Sequence, residues 1–429
     1  MQNSALTIER QPFLLSKAQR IAVIAAIFSH VIDAPLRFAL TKIHLSPLIY
    51  LRDALTLVIM VAALWHWISG KKQNPIIPVT LVLFAHLCIG VLILGSVASP
   101  IMGFKPYLPF LLGVACFDSM QQHEKSLYRL MTAVFFLACL GIFLNWAFDM
   151  PWTGEMVDSA AGEVSASREW TSGGVRRLAG FARDSVAAST IVATTCIPIL
   201  VASNIRFLYR LLIIAISFTA IVLTTSKGSL MALVVIAFFG LFFSKSNKAN
   251  RLNPLFFIGP AVGIVIPALV YMFDAKLEVN SSLGALLASF ADRINITWPL
   301  AFDLLKRSGN IFLGRGLGGI GFGQFFSEAA YYNSADNVMV CLFISMGLAS
   351  IVYIYILMLR LRENADNVSP YTWRCIIGWL IYWYIYGITS NTIEIPFFMF
   401  FAGLIVGAAL STSSSRKSPN LRNAILQSS

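Results

Sequence analysis

Apolar residues fill long segments of this chain, and polar residues are concentrated in the connections between them. Each apolar segment approaches the roughly 20 residues that an α-helix needs to cross the hydrocarbon core of a bilayer. An outer-membrane barrel would show short alternating segments instead. The pattern predicts an all-α polytopic membrane protein with about twelve transmembrane helices, near residues 21–40, 47–69, 77–97, 103–117, 127–148, 185–203, 207–224, 228–244, 254–273, 337–359, 373–389 and 393–411.

Two connections, 149–183 and 274–335, are much longer than the others. In the second, apolar residues recur at three- and four-residue steps between Ser281 and Lys306, which predicts an amphipathic helix. This helix is too polar to span, so it either lies along the membrane face, caps a cavity or is an inert surface element. The apolar positions are Leu283, Leu286, Leu287, Phe290, Ile294, Trp298, Ala301 and Leu305. We expect one integral membrane domain over 1–429.

The Lys and Arg residues of the connections give the orientation, because cytoplasmic connections are enriched in them. With the N-terminus inside, the short outer connections hold only Arg37, Lys42, Lys105 and Lys227. We therefore predict cytoplasmic tails at 1–20 and 412–429 and place both long loops outside. The N-terminal segment lacks a small-residue cleavage site, so we interpret it as a tail rather than a signal peptide.

Composition narrows the function classes. Only 12% of the residues are charged, against roughly 25% in soluble domains. The net charge of +12 comes from basic residues scattered between apolar segments, which argues against nucleic acid as a partner. The six cysteines lie inside predicted spans without a CxxC pattern, and the five histidines show no ligand spacing. We therefore predict no disulfide, metal or other cofactor.

A group of basic residues on the outer side is not explained by orientation. Its members are Arg176, Arg177, Arg183, Lys227, Arg293 and Arg315. Together they would form a cationic cavity mouth at headgroup level that suits phosphate or pyrophosphate, since a guanidinium can hold two phosphate oxygens at once. The alternative is that they pair with acidic residues of the first loop or with anionic lipid.

Asp336 follows the second loop where the chain returns to the membrane. A partly desolvated carboxylate there suits a general base, whereas its other possible role is the N-cap of the next helix. Arg52 with Asp53 is a candidate structural pair. Glu394 lies in a predicted span, where a carboxylate is costly unless it is paired or faces a cavity.

Residues 314–323 are rich in glycine and formally contain GxGxxG. They do not follow a strand of a βαβ unit, which excludes a dinucleotide site of that type. The glycines instead allow the backbone to approach a ligand or to make a tight turn before span ten.

Four motifs in order resemble the O-antigen polymerase and O-antigen ligase superfamily of bacterial envelope proteins. They are Arg177-Leu-Ala-Gly-Phe with Asp184, then Thr225-Ser-Lys227-Gly-Ser, then Arg293 and Trp298 followed by Gly314-x-Gly316-x-Gly318, and finally Ser334-Ala-Asp-Asn337 leading to Met346-Gly347. Four residues separate Arg293 from Trp298, where the family pattern has three. The span layout is similar too, and the overall look resembles exopolysaccharide polymerases of the xanthan type.

The resemblance implies an enzyme that transfers an oligosaccharide from undecaprenyl pyrophosphate to a sugar hydroxyl at the periplasmic face of the inner membrane, without metal. It implies pyrophosphate binding by Arg177, Arg183, Lys227, Arg293 and Arg315, and general-base catalysis by Asp336. It also implies as partners a flippase and a chain-length co-polymerase.

Ligases of the superfamily carry histidine at the position of Asp336, so this sequence favours a polymerase of lipid-linked repeat units. The alternatives are a ligase that transfers polymer to lipid A core and a transporter or flippase of lipid-linked saccharide. A transporter would carry charged residues deep in several spans and short outer loops.

Overall fold

The structure is a computed structural model that describes residues 14–69, 75–159, 162–172, 174–202, 205–242, 253–278 and 284–411. Most of the predicted N-terminal tail, the whole tail 412–429 and Leu283 of the predicted amphipathic helix lie outside these residues. The described chain is mostly helical, with seventeen α-helices. The all-α prediction is confirmed.

Seven helices precede the first long loop. They are α1 (Lys17–Val31), α2 (Asp33–Lys42), α3 (Leu51–Ile68), α4 (Ile76–Leu94), α5 (Ala98–Phe104), α6 (Tyr107–Gln122) and α7 (Glu124–Ala147). Predicted span one is two helices, because α1 and α2 meet at an angle of 89°. A smaller bend of 41° separates α5 from α6 at Lys105 and Pro106, where proline has no amide hydrogen to continue the helical hydrogen bonds.

Ten helices follow the first long loop. They are α8 (Ser185–Leu200), α9 (Phe207–Leu223), α10 (Lys227–Phe242), α11 (Asn253–Met272), α12 (Gly284–Asp292), α13 (Trp298–Ser308), α14 (Val338–Met346), α15 (Leu348–Glu363), α16 (Pro370–Gly387) and α17 (Pro396–Leu410). Predicted span ten, 337–359, is two helices, because α14 and α15 meet at 119°. Gly347 makes this turn with φ +60°, and a Cβ there would lie 2.5 Å from the carbonyl oxygen of Ile311.

Among the described residues, three helical segments are long and apolar enough to cross a membrane alone, and six are if each bent pair counts as one span. Five further apolar helices are shorter. Several helices can therefore span a membrane, which agrees with the predicted class, while the number of twelve crossings stays a prediction.

The first long loop contains two small antiparallel hairpins that the hydrophobic pattern does not predict. Strand β1 (Met156–Ser159) pairs with β2 (Gly162–Ser165), and β3 (Thr171–Ser172) pairs with β4 (Val175–Arg176). The second hairpin positions the arginines that follow it in sequence.

The core lies around α16 and α17, which are buried along nearly their whole length. A helix that is hydrophobic on all sides belongs in such an interior. Helix α17 packs on α6 so closely that a Cβ on Gly403 would lie 1.9 Å from the carbonyl oxygen of Phe110. Small residues allow this approach between helix backbones. Much of the apolar surface of α17 therefore faces protein.

Candidate active site

A cluster of charged residues marks the end of the bundle where the first loop attaches. Buried Asp33 accepts hydrogen bonds from Arg37 Nε at 2.7 Å and from Arg52 Nη1 at 2.5 Å. The predicted Arg52–Asp53 pair is wrong, because Asp53 instead lies 3.5 Å from Lys105 Nζ. The amide of Ala34, next to Asp33, donates to the carbonyl of Phe181 in the first loop. The loop is thus fixed to this cluster.

Arg177 extends from the second hairpin toward the turn between α9 and α10. Its Nε donates to the carbonyl oxygen of Thr224 at 3.4 Å, and its guanidinium lies 5.3 Å from the centre of the Trp170 ring. It forms no ion pair with a described residue. Burial lowers the pKa of Arg177, and the positive charge of Arg293 lowers it further, against the opposing effects of Tyr386 and Asp184.

The neighbouring Arg176 differs sharply in its contacts. Its guanidinium pairs with Asp149 at 2.5 Å and with Glu169 at 2.9 Å, both near the surface. Arg176 therefore pairs with acidic residues of the first loop, which was the predicted alternative to phosphate binding. Arg177 has no such partner among the described residues, so its charge remains available to an anion from outside the chain.

Arg183 follows in the same loop, directly before Asp184, which caps α8 by accepting a hydrogen bond from the amide of Ala187 at 2.7 Å. The Arg183 side chain reaches solvent and makes no ion pair within the described part of the chain. Surrounding protein lowers its pKa, as does the nearby charge of Arg37. Asp33 and Asp184 act in the opposite direction without pairing with it, so Arg183 adds a second cation without an ion-pair partner among the described residues.

Arg293 lies in a π-helical turn, Arg293–Thr297, between α12 and α13. The predicted single amphipathic helix is therefore interrupted, although Trp298, Ala301 and Leu305 are buried as the pattern predicts. Turns of this kind are frequent at functional sites. The turn leaves Arg293 Nη2 at 3.6 Å from Asp336 Oδ2, while Nη1 donates to Ser289. Its buried Nε lacks a hydrogen-bond partner among the described residues.

Asp336 and Asn337 divide the two roles that the sequence left open. Asn337 caps α14, since its Oδ1 accepts from the amides of Met339 at 2.8 Å and Val340 at 3.2 Å. Asp336 precedes it with φ +43°, accepts a hydrogen bond from Ser334 Oγ at 2.8 Å and keeps 39% of its side chain exposed. The cap is thus Asn337, and Asp336 is accessible for chemistry.

Lys227 is the first residue of α10, and its side chain is exposed. It follows Thr225, whose φ is +55°, in the turn whose Thr224 carbonyl accepts from Arg177. A Cβ on Gly228 would meet the ring of Tyr386 and the hydroxyl of Thr389. This close packing fixes the Lys227 turn beside Arg177 at the end of α16.

Arg315 does not fit the predicted phosphate contact. Its side chain is fully buried and donates to Ser308 Oγ at 2.7 Å, to the carbonyl of Gly319 at 2.6 Å and to Glu328 Oε2 at 2.5 Å. A guanidinium with these partners is already compensated. We therefore assign Arg315 to holding the glycine segment 314–323 in shape.

The glycine segment itself packs against helices. The amide of Leu317 donates to the carbonyl of His86 in α4 at 2.9 Å, and a Cβ on Gly316 would lie 2.1 Å from the amide nitrogen of Gly90. The predicted roles of these glycines were an approach to a ligand and a tight turn before span ten. In the structure they allow the segment to approach the backbone of α4 instead. The segment is a plug within the bundle rather than an open phosphate cradle.

Glu394 lies in a short 3₁₀ turn, Thr392–Glu394, between α16 and α17. It is half-buried, and its Oε1 accepts a hydrogen bond from the amide of Phe322 at 2.7 Å. Burial raises the pKa of Glu394 to about 7, with a contribution from Asp336, while the Phe322 amide and the cations Arg183 and Arg168 act in the opposite direction. The carboxyl borders a cavity of about 20 Å³. This agrees with the expectation that a carboxylate in an apolar segment is either paired or faces a cavity.

The sequence did not predict two features of the site, the Trp170 ring with Arg168 beside it and the tyrosine Tyr332. The guanidiniums of Arg168 and Arg177 lie 4.8 Å and 5.3 Å from the centre of the Trp170 ring, so one indole supports both cations. The signal that could have found them is the tryptophan close to two arginines in a loop. Burial raises the pKa of Tyr332, and the charges of Glu394 and Asp336 raise it further, so Tyr332 lies near both carboxylates.

The predicted site residues are thus separated into two sets. Arg177, Arg183, Arg293 and Asp336 lie in loops whose charges influence one another and Glu394, and Lys227 lies beside Arg177. Arg315 stands apart inside the plug. The described residues contain no group of His, Cys, Asp and Glu that could hold a metal ion. No protein-family model matches this chain, and no curated protein matches its sequence.

Proposed function

We propose that this protein polymerises undecaprenyl-pyrophosphate-linked oligosaccharide repeat units into exopolysaccharide or O-antigen at the periplasmic face of the bacterial inner membrane. The observation that carries the proposal is the pair Arg177 and Arg183. Both are loop arginines without an ion-pair partner among the described residues, and other cations lie near each. Such an arrangement is stabilised by an anion from outside, and a lipid pyrophosphate supplies one at headgroup level.

In the proposed reaction, a sugar hydroxyl of the acceptor unit attacks the anomeric carbon of the growing chain. The bond from that carbon to the pyrophosphate oxygen breaks, and undecaprenyl pyrophosphate leaves with the bonding electron pair. Arg177, Arg183, Arg293 and Lys227 stabilise the negative charge that develops on the leaving group. A carboxylate takes the hydroxyl proton, and Asp336 is the candidate from the sequence.

The surroundings of the site support a membrane-bound donor. Apolar helices able to span a bilayer carry the polar loops, so a polyprenyl tail can stay in lipid while its pyrophosphate reaches the arginines. The charged groups of the site gather in and beside the loops, which favours chemistry there over transport through the bundle. A flippase would deliver the units, and a co-polymerase would set the chain length.

The test is the lipid-linked saccharide that accumulates in cells lacking the protein. We expect single repeat units on the periplasmic face, because delivery continues while joining stops. Long lipid-linked polymer would contradict the proposal in favour of a ligase, and single units retained on the cytoplasmic face would contradict it in favour of a flippase.

A further inference from the structure

Two carboxylates face the arginines of this site, and their surroundings differ. Asp336 pairs with Arg293 at 3.6 Å and accepts a hydrogen bond from Ser334. Glu394 makes no ion pair with a described residue, and the only hydrogen bond to its carboxyl from the described residues is the one from the Phe322 amide. The second carboxyl oxygen of Glu394 therefore remains open to accept a proton, whereas both oxygens of Asp336 have partners.

The packing around Glu394 is built for its carboxyl. Gly321, with φ +76°, leaves room for it, since a Cβ there would lie 2.2 Å from Glu394 Oε1. The adjacent cavity of about 20 Å³ offers the room that one water molecule or one hydroxyl oxygen needs. Asn391, which is 7% exposed, lines the same cavity, and its Nδ2 has no hydrogen-bond partner among the described residues. An acceptor hydroxyl would find there both a proton acceptor and a buried donor.

We propose that Glu394, rather than Asp336, accepts the proton of the attacking sugar hydroxyl, and that Asp336 positions Arg293. This inference rests on the proposed polymerase function. As the hydroxyl oxygen bonds to the anomeric carbon, its proton moves to the Glu394 carboxylate, and the electrons of the broken carbon–oxygen bond leave with the pyrophosphate. Glu394 then releases the proton to water.

The ionisation state of Glu394 supports this role. A general base works best when its pKa lies near the operating pH, and burial places that of Glu394 at about 7. The base is the deprotonated form, so activity should fall as the pH drops below about 7. The titratable groups that face it are Asp336 and Tyr332 of the second loop, Arg168 and Arg183 of the first loop, Tyr107 of α6 and Cys341 of α14.

The test compares Glu394→Gln and Asp336→Asn in elongation of lipid-linked repeat units by purified protein in liposomes, with rates measured against pH. Glu394→Gln retains an acceptor for the Phe322 amide, so it should bind undecaprenyl pyrophosphate like the wild type. It should lose the acid limb near pH 7 and about 10²–10⁴ in rate, the usual contribution of general acid–base catalysis.

Asp336→Asn is the second variant, and it leaves the Glu394 carboxyl in place. Removing the neighbouring negative charge lowers the pKa of Glu394, so the acid limb should persist and move to lower pH. The inference is overturned if Glu394→Gln elongates at the wild-type rate with an unchanged limb, or if Asp336→Asn abolishes the limb. A wild type that binds the pyrophosphate lipid and never elongates would instead overturn the proposed function.

Discussion

The glycine plug, residues 314–323, and the first long loop both contain predicted phosphate ligands, but the arginines differ in burial and in their partners. In the plug, Arg315 is fully buried and bonded to Ser308, Gly319 and Glu328. In the first loop, Arg177 has one carbonyl contact and an aromatic ring. A compensated guanidinium holds structure, whereas an uncompensated one is available to a ligand. The partners of a loop arginine therefore decide its role.

Among the variants that test this difference, Arg315→Ala should have the largest effect, a loss of stability. Removing one partner of a buried ion pair costs about 3–5 kcal/mol, so the amount of folded protein and its thermal stability should both fall. Fluorescence-detected size exclusion after heating measures this. Arg360→Ala is the control, because its pair with Glu363 is exposed on both sides and should leave stability unchanged. Unaltered stability in Arg315→Ala would contradict the structural role.

Next in size is Arg177→Ala, which should leave stability intact and reduce elongation by about 10²–10³, the effect of removing one donor from a developing oxyanion. Arg176→Ala is a matched control one residue away, since its partners are surface carboxylates. We expect Arg176→Ala to retain most activity in the liposome elongation assay. Equal losses in the two variants would show that ion-pair occupancy does not distinguish them.

The smallest expected effect is the difference in stability between variants of Asn337 and Asp336. Asn337→Ala removes the helix cap and also the hydrogen bond from Nδ2 to the Gly263 carbonyl, so it should lower the free energy of unfolding by about 2 kcal/mol. Asp336→Asn should leave it nearly unchanged. Chemical denaturation in detergent measures both. A larger stability loss in Asp336→Asn than in Asn337→Ala would reverse the assignment of the cap.

The sequence predicts the all-α helical class, because long apolar runs are a local signal. It does not predict the 119° turn at Gly347, which depends on the approach of Ile311 from the second loop. The partner of Arg52 was wrong for the same reason, since Asp33 reaches it from another helix. Local spacing does not encode such contacts.

The site shows the same limit. The predicted outer-side position applies equally to Arg177, Arg183, Arg293 and Arg315. It cannot distinguish the first three from Arg315, which is buried beside Glu328 in the folded plug. Glu394 was singled out by its cost in an apolar segment. Its contact with Phe322 spans 72 residues of sequence, which no motif records.

The decisive experiment on the proposed polymerase activity is elongation by the purified protein in liposomes supplied only with lipid-linked repeat units. We expect wild-type protein to convert single units to a ladder of longer lipid-linked saccharides, and equally folded Arg177→Ala to leave them unchanged. Single units left unchanged by the wild type, or the same ladder from Arg177→Ala, would contradict it.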